Sequence, residues 1–477
     1  MTKKLIWCSI FLLPLFANAQ DNQVLIKDFA KKVKDITASV IVNDHENIMQ
    51  IKLDDDNFEL VAMDDKMKVL WRNTYKGSAV TFGKFKGHLL AITGSYPYQL
   101  KQKENIYAAY LIDENSGKIL LQHDLYKDKA ETVEDVHPIF SADGSGFTLV
   151  IRQTKLKNRF SIVFSLDALN DTKGLILASL NDKLEPTVSY PEFEDGTLAS
   201  VTAASDGSYF LFCVGKDNKL KISKFEAGKN QSSLNITQDI NMREKSDIKP
   251  DLAEAIPSET DRNIVYFSMI HKSPDKEMQL TLVKADFNLH TAKVVHDPLT
   301  KDRLKPLIKT FVPPNKEIEK ADISNDYDHF KISSFTEYKN TLMVTFSNSF
   351  LTQFAGRMYY INTSTIIDIF DNDLNKRAQQ IMPTWGTDIL PALHFSDNSV
   401  YLLSNYGQGH FDIYYGQLDL SSGQWLKLQK LGKKNIDKGD NVTNNNLWYK
   451  DNFVIVYRSY SNSPNSNVDL TLQQNLK

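Results

Sequence analysis

Short apolar runs and polar stretches alternate along the whole chain, and the runs come in a recurring phrase. A run of six to eight aliphatic and aromatic residues is followed by a polar loop of variable length, a second run, a turn holding Asp, Asn or Gly, and a third run. Runs this short, bounded by turn residues, predict strands; those that are apolar throughout predict strands buried on both faces. The first run of the phrase occupies 48–53, 88–94, 146–153, 208–215, 263–270, 341–348, 398–405 and 452–459. Second runs include 106–113, 219–226, 278–286, 411–419 and 467–474, and Met278-Gln-Leu-Thr-Leu-Val-Lys284 alternates as a half-buried strand does.

The starts of the first runs, from residue 48 to residue 452, are on average about 58 residues apart, a spacing that suits propeller blades carrying loop insertions. The expected fold class is therefore all-β, a β-propeller of eight blades, or of seven if the first phrase is incomplete. Two turns after the second run are well formed: Asp113-Glu-Asn-Ser-Gly117 and Asp419-Leu-Ser-Ser-Gly423, whose glycines lie 306 residues apart, or six intervals of 51. Their Asp-x-x-x-Gly hinge is similar to the repeat of quinoprotein-type propellers, with 64–71 a gapped version. Phe140-Ser-Ala-Asp-Gly144 resembles a turn of propellers related to the translocation protein TolB. The general resemblance spans roughly residues 38 to 475 and implies the fold. It does not carry quinone chemistry with it, because only Trp71 and Trp425 stand near the hinge-closing Trp positions and vicinal cysteines are impossible. A cofactor-free scaffold, similar in kind to accessory subunits of outer-membrane assembly machinery, suits the same residues better, and no cofactor is expected.

Residues 445–475 hold three strands with no room for a fourth, so an N-terminal strand is expected to seal the last blade. Val24 to Asp28 or Ala38 to Val42 could serve. A competing reading makes Ile26, Phe29, Val33 and Ile36 one face of an amphipathic helix. The longest irregular stretch, 298–325, reads as a surface excursion between blades.

At the N-terminus, Lys3 and Lys4 precede an apolar segment from Leu5 to Phe16, and Ala17-Asn-Ala19 has the small-x-small pattern that signal peptidases cleave. The expected organisation is a signal peptide over 1–19 and a propeller over 20–477, exported to the periplasm or the extracellular space. The apolar segment is too short for a transmembrane anchor and no other approaches that length, so no membrane span is expected. Composition adds constraints. The 477 residues are 42% hydrophobic with 56 Lys+Arg against 59 Asp+Glu, a formal charge of -3, so there is core material throughout and no basic field for nucleic acid. Cys8 would leave with the signal, making Cys213 the only cysteine of an exported chain; stability must then come from packing. A monomer is expected.

In an up-and-down blade, every loop joining the second strand to the third lies on one face of the disc. Those loops are read as Ser95–Tyr98, Phe350–Phe354, Tyr406–His410 and Tyr460–Pro464. Tyr96, Tyr98, Phe350, Phe354, Tyr406, His410 and Tyr460 form a candidate binding face, since aromatic side chains on held loops offer area for a protein or glycan partner at little entropic cost. With 20 Tyr and 26 Phe in the chain, some of these could equally roof the blades. Metal is not expected: Asp54-Asp-Asp-Asn57 and Asp371-Asn-Asp373 lack the Gly and distal Glu of a calcium loop and read as hairpin turns. No phosphate loop, nucleophile elbow or His-Glu-x-x-His stands out, and Ser141–Thr148 departs from the sialidase turn in its Gly placement and lack of Trp. No catalytic residue is assigned. The residues favour a non-catalytic binding or scaffolding module; the rival is a carbohydrate-active propeller with carboxylates in the central channel, which a clustering of carboxylates with an Arg there would favour.

Overall fold

The computed structural model describes residues 24–94, 104–129, 132–155, 172–192, 196–244, 248, 252–300, 302–303, 330–354, 357–385, 391–406, 412–431, 440–442, 445–459 and 466–474. Their strands form eight antiparallel sheets. Seven are consecutive four-stranded meanders over 35–76, 78–129, 132–189, 196–239, 253–298, 330–382 and 392–431. They are blades 1 to 7 here, with strands lettered a to d in chain order. The eighth blade joins the two ends of the chain. Asp440–Val442 and Leu447–Trp448 both pair with Asn452–Ser459, which pairs with Ser466–Gln474, and Val24–Val33 adds the outermost strand.

Packing shows that the sheets close into a ring. Among the described residues there are eight apolar clusters, and each spans two successive blades, including one shared by blades 8 and 1. Each blade is thus a slab covered on both sides, which is why its central strands are apolar without interruption. Tyr209–Val214 in blade 4 is buried residue after residue, with Tyr209, Phe210 and Phe212 among the largest enclosed side chains. Ring closure leaves no exposed sheet face, and burial of this kind is the main stabilising term for a chain with no disulfide.

The N-terminal segment is a strand, not the helix that its spacing also allowed. Its register against strand c of blade 8 slips twice, between Ile26 and Ala30 and between Ala30 and Val33, so residues three and four apart return to one side. Asp28 and Lys32 take positive φ at these bulges, and strand c supplies partners for them: the Asp28 N–H donates to Asp469 Oδ1 at 2.7 Å, and Asn467 Nδ2 donates to Asp28 Oδ1 at 2.8 Å. Ala30 and Val33 are thereby buried in the cluster between blades 8 and 1. Of the two candidate closing segments, Val24–Asp28 belongs to this strand, whereas Ala38–Val42 lies in strand a of blade 1.

Strand direction divides the disc into two faces. The a–b and c–d connections fall on one, the turn face, and are short, as at 44–45, 86–87 and 65–68. The strand ends at the b–c and d–a connections lie on the other, the loop face, among them those that flank 95–103, 156–171 and 299–329. On the turn face the Asp-x-x-x-Gly hinges are c–d turns. The Gly117 N–H donates to the Asp113 carbonyl at 2.8 Å and the Gly423 N–H to that of Asp419 at 2.8 Å, both glycines at φ 66°. Strand d of the preceding blade grips each turn. Trp71 Nε1, Asn73 Nδ2 and Tyr75 Oη donate to the carbonyls of Glu114, Ser116 and Gly117, and Gln380 Nε2 donates to that of Gly423 at 2.7 Å. The Asp-rich segments are also turns closed by their own side chains. Asp54 Oδ1 accepts the Asp56 N–H at 2.7 Å, and Asp371 Oδ1 accepts those of Asp373 and Asn375 at 2.9 Å each.

Candidate functional site

The first strands of the blades face the axis, and those of blades 3 to 6 wall a cavity of about 1590 Å³. Strand order places its charged groups in two tiers. Toward the loop face lie Asp135 and His137 on Thr132–Phe140, Glu254 on Ala253–Pro257 and Lys331 on Phe330–Tyr338; toward the turn face lie Asp143, Glu259, Asp261, Arg262 and Glu337.

The turn-face tier is mutually satisfied. Glu337, 4% exposed, accepts the Glu259 N–H on Oε2 at 2.6 Å and the Ser258 hydroxyl at 3.4 Å, so blade 6 is tied to the a–b turn of blade 5. Burial raises the pKa of both Glu337 and Glu259, and for Glu259 the neighbouring Glu337 adds to it. Arg262 Nη1 donates to Asp206 Oδ2 at 3.3 Å. Asp143 is held below the usual carboxylate range by the Ser141 and Ser145 hydroxyls and the Ser145 N–H.

The loop-face tier is different. His137 Nε2 and Asp135 Oδ2 are 2.8 Å apart, and this hydrogen bond holds the Asp135 pKa down. Across the channel, burial pushes Glu254 up to about 7, against the opposing pull of a hydrogen bond from the Phe335 backbone. Beside Asp135, one strand farther from the axis, is a cation on an unusual strand. Arg152 lies on strand b of blade 3, directly opposite Asp135 in register, yet with Val150 it lines the cavity. The channel therefore extends outward between blades 3 and 4 past the inner strand. Arg152 is 6% exposed, its Nε has no hydrogen-bond partner, and burial works against its charge while Asp135 supports it.

None of these groups was singled out as a site from sequence. Asp135, Glu254 and Lys331 sit on inner strands whose channel-facing positions are polar, so the strands resemble loops. Arg152 did carry a signal, since it directly follows the largely apolar run Phe147–Ile151 inside a strand covered on both faces.

Of the aromatic face, Tyr96, Tyr98, His410 and Tyr460 lie outside the described residues. Phe350 and Phe354 require a correction. They belong to strand b of blade 6, Thr341–Phe354, and pair across a hairpin with Ile361 and Arg357, so the loop read there is extended ladder; their side chains lie outside the described residues. Tyr406 ends strand b of blade 7 half-buried, its ring edge-on to Tyr414 at 5.6 Å and its backbone bridged to Trp385. Burial pushes its hydroxyl pKa up to about 12.

No protein-family model and no curated protein matches the sequence. Solved structures similar to the chain include the WD40 domain of SCAP from fission yeast (11% identity, 95% of this chain and 98% of that one, TM-score 0.41). The β-propeller domain of the Trilobed protease from Pyrococcus furiosus is 7% identical, covering 84% of this chain and 97% of that one at a TM-score of 0.37. TolB from Acinetobacter baumannii is 12% identical, covering 78% and 75% at a TM-score of 0.32. The eight-bladed fold of this chain stands on its own strand pairing.

Proposed function

We propose that the protein is an exported, monomeric, non-catalytic binding module that holds a partner protein on its loop face. The observation that supports this reading is the asymmetry of the disc: the a–b and c–d connections of blades 1 to 7 run to at most eight residues and two of the c–d turns are gripped by the preceding blade, whereas the strand ends on the loop face flank 95–103, 156–171 and 299–329. Insertions gathered on one side of a rigid ring are the usual way a scaffold displays a recognition surface. The aromatic segments 95–98, 350–354, 406–410 and 460–464 are assigned to that recognition surface from the sequence pattern. Replacing Tyr96, Tyr98, Tyr406 and Tyr460 together by Ser should abolish capture of the partner from the native envelope while leaving the melting temperature nearly unchanged. Undiminished capture would remove the proposed face, and capture of a polysaccharide in place of a protein would change the partner class.

A second reading has one observation in its favour. Glu254, held near neutrality, and ionised Asp135 share the channel with Arg152, the kind of clustering a carbohydrate-active enzyme would use. Against it, Asp135 is committed to His137, and the two carboxylates stand on blades 3 and 5 with blade 4 between them. Hydrolysis of a polysaccharide panel that is lost in Glu254→Gln would establish the enzyme.

A further inference from the structure

The pocket between blades 3 and 4 contains a guanidinium with no committed partner. Among the described residues no side-chain hydrogen bond or ion pair is made by the Arg152 guanidinium, whose buried Nε has no partner; Asp135 supports its charge only through space. Asp135, opposite in register, has Oδ2 engaged by His137. A buried cation without acceptors is costly, and the cost is relieved when acceptors arrive from the cavity. The planar fork of an arginine is matched by a carboxylate, which can take two of its N–H groups at once. The walls beside it are apolar: Ile139, Val150 and Val201 all line the cavity, and all pack on the cluster between blades 3 and 4. The pocket opens inward to the channel, so its occupant must be thin enough to thread along the axis.

We propose that this pocket binds the C-terminal carboxylate of an extended peptide, with Arg152 taking the carboxylate and Ile139, Val150 and Val201 receiving an apolar last side chain. The inference rests on the reading of the protein as a protein-binding module and names the chemistry of the partner segment. The rest of the tier accommodates the added negative charge. Lys331 lies across the channel, and Glu254 is largely protonated just below neutrality. The acidic excess of the channel sits on the turn-face tier, away from the pocket.

The test uses the full processed chain and fluorescein-labelled pentapeptides ending in Leu, Val or Phe, each as the free acid and as the C-terminal amide, read by fluorescence anisotropy at pH 6.5. The free acids should bind and the amides should bind about tenfold more weakly or worse, the loss expected for a charge-assisted pair. Arg152→Met should lose the acid in the same proportion, and Arg152→Lys should recover only part of it because the fork is gone. Val150→Trp, which fills the pocket and keeps the arginine, should also abolish binding. Equal binding of acid and amide, no binding of either, or wild-type affinity in Arg152→Met with intact folding would each overturn the proposal. So would a trigalacturonate that displaces the peptide at lower concentration, which would reassign the arginine to an acidic glycan. If partner capture survives Arg152→Met while the loop-face Tyr variant loses it, this inference fails and the loop-face reading stands; the opposite pattern separates them the other way.

Discussion

Substituting Gly423 by Ala strikes the interlock between blades 6 and 7, and the geometry allows its cost to be worked out. Gly423 sits at φ 66°, a region where an L side chain costs about 1–2 kcal/mol. A Cβ built there would lie 2.2 Å from the Cβ of Ala378, on strand d of blade 6. Neither atom can rotate away, because each is fixed to backbone, so the turn must part from the strand. Overpacking of this kind costs about 1–3 kcal/mol. The parting also strains the bond from Gln380 Nε2 to the Gly423 carbonyl, 2.7 Å long. The expected destabilisation is about 2–5 kcal/mol, measured by equilibrium urea unfolding. Ala378→Gly removes the collision and leaves the φ cost, so a double-mutant cycle should show a favourable coupling of about 1–3 kcal/mol. A Gly423→Ala variant within about 0.5 kcal/mol of wild type, or a cycle that is additive, would refute the claim that this hinge is a packed joint between blades.

Two further predictions address closure and pH. Leu25 and Thr471 are directly paired across the seam between the first and last strands, so Leu25→Cys with Thr471→Cys should form a disulfide under oxidation and raise stability by about 2–4 kcal/mol; a pair that stays reduced would place the N-terminal strand elsewhere. Glu254 has a folded pKa near 7, raised from an ordinary value of 4.5. Below pH 4.5 it is protonated in both states. As pH rises toward 7 only the unfolded chain releases the proton, so stability falls across that window. Glu254→Gln should flatten this fall by roughly 2–3 kcal/mol in urea unfolding from pH 4.5 to 7.5, and an unchanged slope would mean that the carboxyl is hydrated in the channel.

The parts of the fold that could be read from sequence are those where burial leaves a simple pattern. Strands b and c are covered on both faces, and their apolar runs fall almost where the strands do: His88–Gly94, Met278–Asp286 and Asn452–Ser459 coincide with strands, and Ser208–Gly215 begins one residue before its strand, Tyr209–Gly215. The closing strand was ambiguous because its bulges at Asp28 and Lys32 convert period two into an i, i+3 spacing, which is also that of a helix. The end of strand b in blade 6 was hidden for another reason: Ser347-Asn348-Ser349 and Thr352-Gln353 break up its apolar residues, so the ladder beyond the core reads as a loop. The channel was the least legible. Asp135 and Arg152 share one hairpin, but Glu254 and Lys331 come from other blades, and only the ring brings all four to one channel. A charge inside a doubly covered strand, as at Arg152, is the one local sign such a site leaves.

The proposed division of labour between the two faces is tested most directly by amide hydrogen exchange on the partner complex captured from the native envelope. Binding should slow exchange in 95–98, 350–354, 406–410 and 460–464 and leave the hinges 113–117 and 419–423 at their free rates. Protection of the hinges, with no change in the loop-face segments, would contradict the account.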